Sequence, residues 1–425
     1  MSRDRMRPVA DSSGPGTREQ LTLGFIPLVD SAPLIVAGEK GFAAAEGLDL
    51  TLVREHSWAN IRDRIMVGHF EAAHMLGPMP IASTLGSGGH LEVPVIAPFS
   101  LGLGGNAITV SEPLFVEMEA QGAILGEAPA KMVNALKRVI LKRRADEKPP
   151  LTLAMVYPFS GHNYELRYWL ASPGLDPDRD LRLTVLPPPF MVDALSAGHI
   201  DGFCVGEPWS SIAVERGLGV IVTTKSALWR QGPEKVLGVR REFADAHPAR
   251  LAALIRALHR AAAWAGDPAN NAELASLLAR PSYVGVPAPV ILRALSGNML
   301  FRSGRPAVSV PDFLVFHAHA ANFPWQSHSL WFYSQMVRWG QIGYSSEQVV
   351  RARRVYRPDL YREALLATDA DLPGASSKVE GALQQPTPVA SRNGRMVLGP
   401  DGFFDGVLFD PDDLVGYLGR LGVAV

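Results

Sequence analysis

A unit that occurs twice limits most tightly what this chain can fold into. Gly68–Pro78 reads GHFEAAHMLGP, and Gly198–Trp209 reads GHIDGFCVGEPW. Each copy opens Gly-His-apolar-acid, continues as a short apolar run, and closes on Gly with Pro one or two residues later. The run has the length of a buried strand, and Gly and Pro punctuate its end. Helix-like segments precede both copies, Asn60–Val67 and Pro189–Ala197. A second echo is independent of the first: LTLGFIPLVDSAPLIVAGEKGF from Leu21 is answered by LTLAMVYPFSGHNYELRYWL from Leu151. Two similar α/β lobes follow, with loops at strand ends and a cleft between the lobes as the natural place for a small molecule.

The segments between the echoes alternate strand and helix, as in a parallel sheet covered on both faces. Leu48–Val53, Val93–Phe99 and Asn106–Ser111 read as strands, and Met79–Gly86 as a helix. Ser57 caps a helix that carries Trp58 in its first turn, and Asp30 or Ser31 caps the helix after the first strand. Ala130–Arg144 is a helix whose basic end places cations at its C-terminus. Leu181–Leu186, Gly219–Thr224 and Val236–Arg240 are strands, and Glu242–Ala265 is one helix. Trp325, Trp331, Phe332 and Trp339 form an aromatic stripe that belongs to a core. Order is expected to begin at Leu21, after a Ser/Gly/Pro-rich disordered tail over 1–20. Beyond about Ala367 the composition turns to Asp, Pro, Gly and Ser, yet FFDGVLFDPDDLVGYL carries enough apolar residues to dock.

A net charge of −1 gives no electrostatic case for nucleic acid or an anionic membrane as a direct partner. The single cysteine, Cys204, excludes an internal disulfide and reads as a small buried hydrophobe. Met1–Gln20 lacks the apolar stretch of a signal peptide, and no run of about 18 apolar residues occurs, so a cytoplasmic protein is expected. The eleven histidines are scattered, with no metal-ligand spacing, and there is no Walker A, no GxSxG and no dinucleotide fingerprint. No catalytic constellation, metal or cofactor is therefore expected. Polar groups do gather at strand ends and helix starts: Trp58, Asn106, Gly161 and His162, Glu207, and Lys235. Gly161 and His162 open a helix, where free N–H groups and the dipole favour an anion. The residues by themselves lead to a two-lobe binder with an anion site.

The stretches SWANIRD, AAHMLGPMP, GNAITVS, GHNYELRYWL, DGFCVGEPW and PEKVLGV resemble, in the same order, the nitrate- and bicarbonate-binding proteins of bacterial ABC importers. The resemblance implies the type II periplasmic-binding-protein fold, two α/β lobes with a ligand cleft, plus a C-terminal extension. It divides the chain into lobe 1 over 21–115 and 241–367, lobe 2 over 116–240, and the extension over 368–425. Carried onto matching positions, it implies nitrate or nitrite held by Trp58, Asn106, Gly161, His162, Pro188, Val205, Gly206, Glu207 and Lys235. Asn106 departs from the glutamine common in the importer proteins. Lys235 stands where the bicarbonate branch has an acid beside calcium, which favours a permanently charged anion; its replacement by Ala is expected to weaken binding and leave the fold intact. The polar start and the EGALQQPTPVA…FDPDDL segment resemble the cytoplasmic nitrate/nitrite sensors of this family. Those sensors hold an RNA-binding antiterminator of the response-regulator type inactive until the anion binds. The alternatives are the solute-binding subunit of a nitrate, nitrite or cyanate importer, and an enzyme like those that make the thiamine pyrimidine.

Overall fold

The computed structural model describes residues 18–89 and 91–425. The expected disordered tail over 1–20 thus lies outside the described residues as far as residue 17. Glu19 and Gln20 already belong to the first strand, two residues earlier than expected, because they pair with Leu48 and Asp49.

Ten strands build two five-stranded sheets: β1 (Glu19–Phe25), β2 (Leu48–Arg54), β3 (Ala72–Leu76), β4 (Val95–Ser100), β5 (Asn106–Ser111), β6 (Thr152–Met155), β7 (Arg182–Val185), β8 (Gly202–Gly206), β9 (Gly219–Thr224) and β10 (Lys235–Arg240). The first sheet runs β2-β1-β3-β10-β4 and the second β7-β6-β8-β5-β9. In each, the leading three strands are parallel and the remaining two join antiparallel. The expected all-parallel sheets are therefore mixed. The topology is the same in both, so the repeats in the sequence are two copies of one fold. β3 and β8, the strands of the opening echo, hold the same place in their sheets and are buried at every residue.

The sheets exchange strands. β5 follows the first-lobe strands in the chain but pairs with β8 and β9, while β10 follows the second-lobe strands but pairs with β3 and β4. This moves the expected boundaries at 115/116 and 240/241: Asn106–Ser111 lies in the second sheet and Lys235–Arg240 in the first. The segments that lead into these two strands run side by side between the lobes, with Leu103 bridged to Pro233 and the Gly104 N–H donating to the Gly232 carbonyl at 3.0 Å.

Helices Ala32–Glu39 and Pro248–Ala265 cover the first sheet, with Leu34, Ile35, Leu254, Ile255 and Leu258 fully buried against β1 and β10. The single helix expected over Glu242–Ala265 is two, Arg241–Ala246 and Pro248–Ala265. Pro248 has no N–H to continue the first and is suited to open the second. Among the described residues no helix is long and apolar enough to cross a membrane.

The extension docks on both lobes. Phe403 stacks on Trp229 with ring centroids 4.5 Å apart, and the Phe404 N–H donates to the Leu228 carbonyl at 2.9 Å. Tyr168, on the helix Gly161–Ala171, donates to Asp405 at 2.7 Å. On the other side, Gln335 of the helix Gln326–Arg338 donates to the Tyr417 hydroxyl at 3.3 Å, and Arg353 pairs with Asp412 at 3.0 Å. Trp325, Trp331 and Phe332 are buried, as the aromatic stripe suggested, whereas Trp339 is only half-buried against the core.

Candidate functional site

Two helix starts face the ends of the crossing strands. Ser57 accepts the Asn60 N–H at 3.2 Å, and Ser160 accepts the Asn163 N–H at 3.0 Å. Both caps are Ser-x-x-Asn, SWAN and SGHN, and both satisfy an N–H that the first turn would leave unpaired. The first cap delivers Trp58, the second Gly161 and His162.

At the centre lies Lys235, the first residue of β10. Its ammonium is 2.9 Å from Asp30 and 2.9 Å from Glu234, and 5.6 Å from the ring centre of Trp58, within cation–π range. Glu234 is 3.1 Å from a second buried lysine, Lys225, which also contacts Glu165. Asn106, the first residue of β5, donates its amide to both carboxylates, 2.7 Å to Glu234 and 3.2 Å to Glu165. His162 lies 3.5 Å from Glu234, beyond hydrogen-bond geometry. His74 sits 3.1 Å from Asp30 and meets Trp58 edge-on at 5.2 Å.

Every one of these side chains is sealed from solvent; Asp30, at 5%, is the most exposed. The charges therefore act on one another with little screening. Lys235 and Lys225 hold Glu234 well below the ordinary carboxylate range, and the carboxylates in turn raise both lysines. Burial pushes His162 down to about 3 and lowers His74, so both rings are neutral. The Ile26 N–H reaches the Nδ1 of His74 at 3.4 Å, which leaves Nε2 as the nitrogen that faces Asp30 with a proton.

The buried polar groups without a hydrogen-bond partner among the described residues include, in this cluster, the Trp58 indole N–H, both ring nitrogens of His162 and the Asn106 carbonyl oxygen. A buried donor without an acceptor is costly. Two such donors beside an ammonium are what a small anion would satisfy.

The structure brings Trp58, Asn106, Gly161, His162, Gly206 and Lys235 together. A Cβ on Gly161 would lie 2.3 Å from the Glu234 carboxylate, which two lysines and Asn106 hold in place, so the position demands Gly. Gly206 pairs with Asn106 across β8 and β5, and Val205 is buried in the same strand. Pro188 opens the 3-10 turn Pro188–Phe190, where it is buried ahead of the helix Met191–Ser196. Two expected roles are corrected. Asn106 commits its N–H groups to carboxylates and presents an oxygen, so it is no ready donor to an anion. The Glu207 carboxyl turns away to accept the Ser211 N–H at 3.2 Å, and burial raises it to about 7; only its backbone braces the site, through Val29 at 2.9 Å.

Sequence reasoning missed Asp30, His74, Glu165, Lys225 and Glu234. Asp30 was assigned to a helix cap, but Ser31 at that cap makes no side-chain bond to the helix, and Asp30 faces Lys235 instead. A signal was available for His74, the one polar residue in an otherwise apolar strand, AAHML. Lys225 and Glu165 had none, since their pairing joins residues 60 apart in the chain.

Cys204 is buried in β8, and burial pushes its thiol well above the ordinary range. Thiolate, not thiol, reacts. Native chain is expected to resist a disulfide reagent such as Ellman's and to react fully once unfolded; rapid labelling of native chain would contradict the burial.

Two lobes of one topology, joined by exchanged strands around a buried cluster of charged side chains, define a binding protein of the periplasmic-binding-protein type. The chain belongs to the NMT1-like family, which it matches over residues 14–279. It is 34% identical to the nitrate/nitrite binding protein NrtA of Synechococcus elongatus, over 94% of this chain and 86% of that protein. It is 38% identical to the nitrate import ATP-binding protein NrtC of Synechocystis sp., over 95% of this chain. The chain spans about half of that relative's length, 55%. The crystal structure of the periplasmic nitrate-binding protein NrtA from Synechocystis PCC 6803 superposes with a TM-score of 0.82 at 29% identity, covering 95% of this chain and 98% of that one.

Proposed function

We propose that this chain binds nitrate or nitrite, with no catalytic step, at the centre formed by Lys235, Trp58 and His162. One observation carries the reading: two unpartnered donors and an ammonium are buried together at the lobe junction. Nitrate is planar, monovalent and a weak acceptor, so it needs a cation and several donors in a desolvated pocket. The site is sealed, so entry requires the lobes to part, and the anion favours the closed state by contacts that the open state lacks. The names of the NrtA relatives agree with this ligand.

Those relatives favour service as the solute-binding component of an anion importer, with an ATP-binding partner of the NrtC kind. Part of the case for a cytoplasmic sensor that restrains an RNA-binding antiterminator is the sequence of the extension. The match to NrtA covers 95% of the chain, so the extension is part of what is shared and does not single out a sensor. Calorimetry with nitrate, nitrite, bicarbonate and sulfonates tests the ligand, with binding of the first two expected. The sensor reading adds a reciprocal coupling: the bound antiterminator must weaken nitrate by the factor with which nitrate weakens it. Equal nitrate affinities with and without that partner sink it.

A further inference from the structure

We propose that the site takes up its anion together with one proton, and that Glu165 carries that proton. This rests on the anion-binding reading and specifies how the same site tolerates its ligand.

The argument begins with a count of fixed charges. The sealed cluster holds three carboxylates, Asp30, Glu165 and Glu234, and two ammonium groups, Lys225 and Lys235. The histidines are neutral. The cluster is thus one negative charge in excess before any anion arrives. A monovalent anion doubles that excess in a space from which water is excluded, and a proton restores it.

Glu165 is where geometry places the proton. Lys225 reaches it from the helix Lys225–Leu228, Asn106 from β5, and Glu234 shares both of those partners from the segment ahead of β10. Cys204 of β8, also uncharged, feels both carboxylates. His162, one turn earlier on the same helix, and Lys235 and Asp30 beyond Glu234 complete the charged surroundings. Two carboxylates that share one amide nitrogen and one ammonium repel, and one of them favours its neutral form. Glu234 has two lysines and stays ionised, whereas Glu165 has one; burial raises Glu165 to about 7. The other seats are less suited. His162 is held near 3, and the Nε2 of His74 already faces Asp30 as a donor.

Protonation of Glu165 leaves Lys225 to Glu234 alone. Glu234 then needs less of Lys235, whose ammonium turns to the anion. The same count ranks ligands by charge, since a divalent anion would need a second proton.

The sign follows from linkage. Below about pH 7 Glu165 already holds its proton, binding takes up none, and affinity is flat with pH. Above that value each anion must bring a proton, and affinity falls toward tenfold per pH unit. Nitrate titrated by calorimetry at about pH 8, in two buffers of different ionisation enthalpy, is expected to show uptake of up to one proton. Glu165→Gln is expected to abolish the uptake, flatten the pH profile and bind nitrate about tenfold tighter than the parent near pH 8. Binding with buffer-independent heat in the parent overturns the proposal and leaves the anion reading standing, and this arm needs no variant to fold. Uptake that persists in Glu165→Gln, or that is lost in Glu207→Gln instead, overturns the assignment to Glu165. Nitrate that fails to bind at any pH overturns the function reading and this proposal with it.

Discussion

Lys235→Ala is expected to lower nitrate affinity about a hundredfold and, in the same variant, to cost about 3–5 kcal/mol of stability. The first effect is the loss of a charged hydrogen-bond donor from a desolvated centre. The second corrects the expectation that the fold would be indifferent. Lys235 is 1% exposed and compensates Asp30 and Glu234, which its removal would leave buried and underpaired. Calorimetry reads the first effect and urea unfolding the second. Unchanged affinity would take Lys235 out of the binding site; unchanged stability would take it out of the ion network. Adding Glu234→Gln removes one of the stranded charges, so the double variant is expected to regain part of the stability and none of the binding.

Phe403→Ala is expected to destabilise the chain by about 3–5 kcal/mol, although it lies in a segment with almost no regular structure. Phe403 is 7% exposed and sits among Trp229, Trp331 and Tyr168, with ring centroids 4.5, 6.2 and 6.0 Å away. Its neighbours belong to both lobes, so the cavity left behind cannot collapse from one side. Behind it the extension is pinned by a buried cluster: Lys378 contacts Glu380 and lies 2.6 Å from Asp401, and Glu380 accepts the Ser327 hydroxyl at 2.6 Å. A loss below about 1 kcal/mol in urea unfolding would mean that the extension only rests on the surface.

How much of this was readable without coordinates depends on how local each signal is. The Ser57 cap was visible because a cap acts over three residues, and a helix start was visible at Gly161, so Trp58 and His162 could be placed at helix starts; the Ser160 cap came from the structure. The aromatic stripe over 322–340 was visible because burial leaves a mark on composition. Asp30 misled for the same reason: an acid before a helix is locally a cap, and its partners Lys235 and His74 are remote in the chain. Asn106 misled in a different way. Its position was right, but its amide faces two carboxylates that only the packing of three elements assembles.

The sequence by itself determined the two-lobe architecture, because a repeated strand–helix grammar can be compared with itself, and it determined the sites of Trp58, His162 and Lys235 at element starts. The tertiary structure alone decided which sheet receives β5 and β10, since an apolar strand carries no label for its partner and pairing is settled by the strands brought beside it within each sheet. It alone decided the charge state of the site as well. GHIDGFCVGEPW led to the cleft, but the carboxylates and lysines that set its balance come from four separate segments. Their pKa values depend on being buried together, a property that belongs to no segment singly.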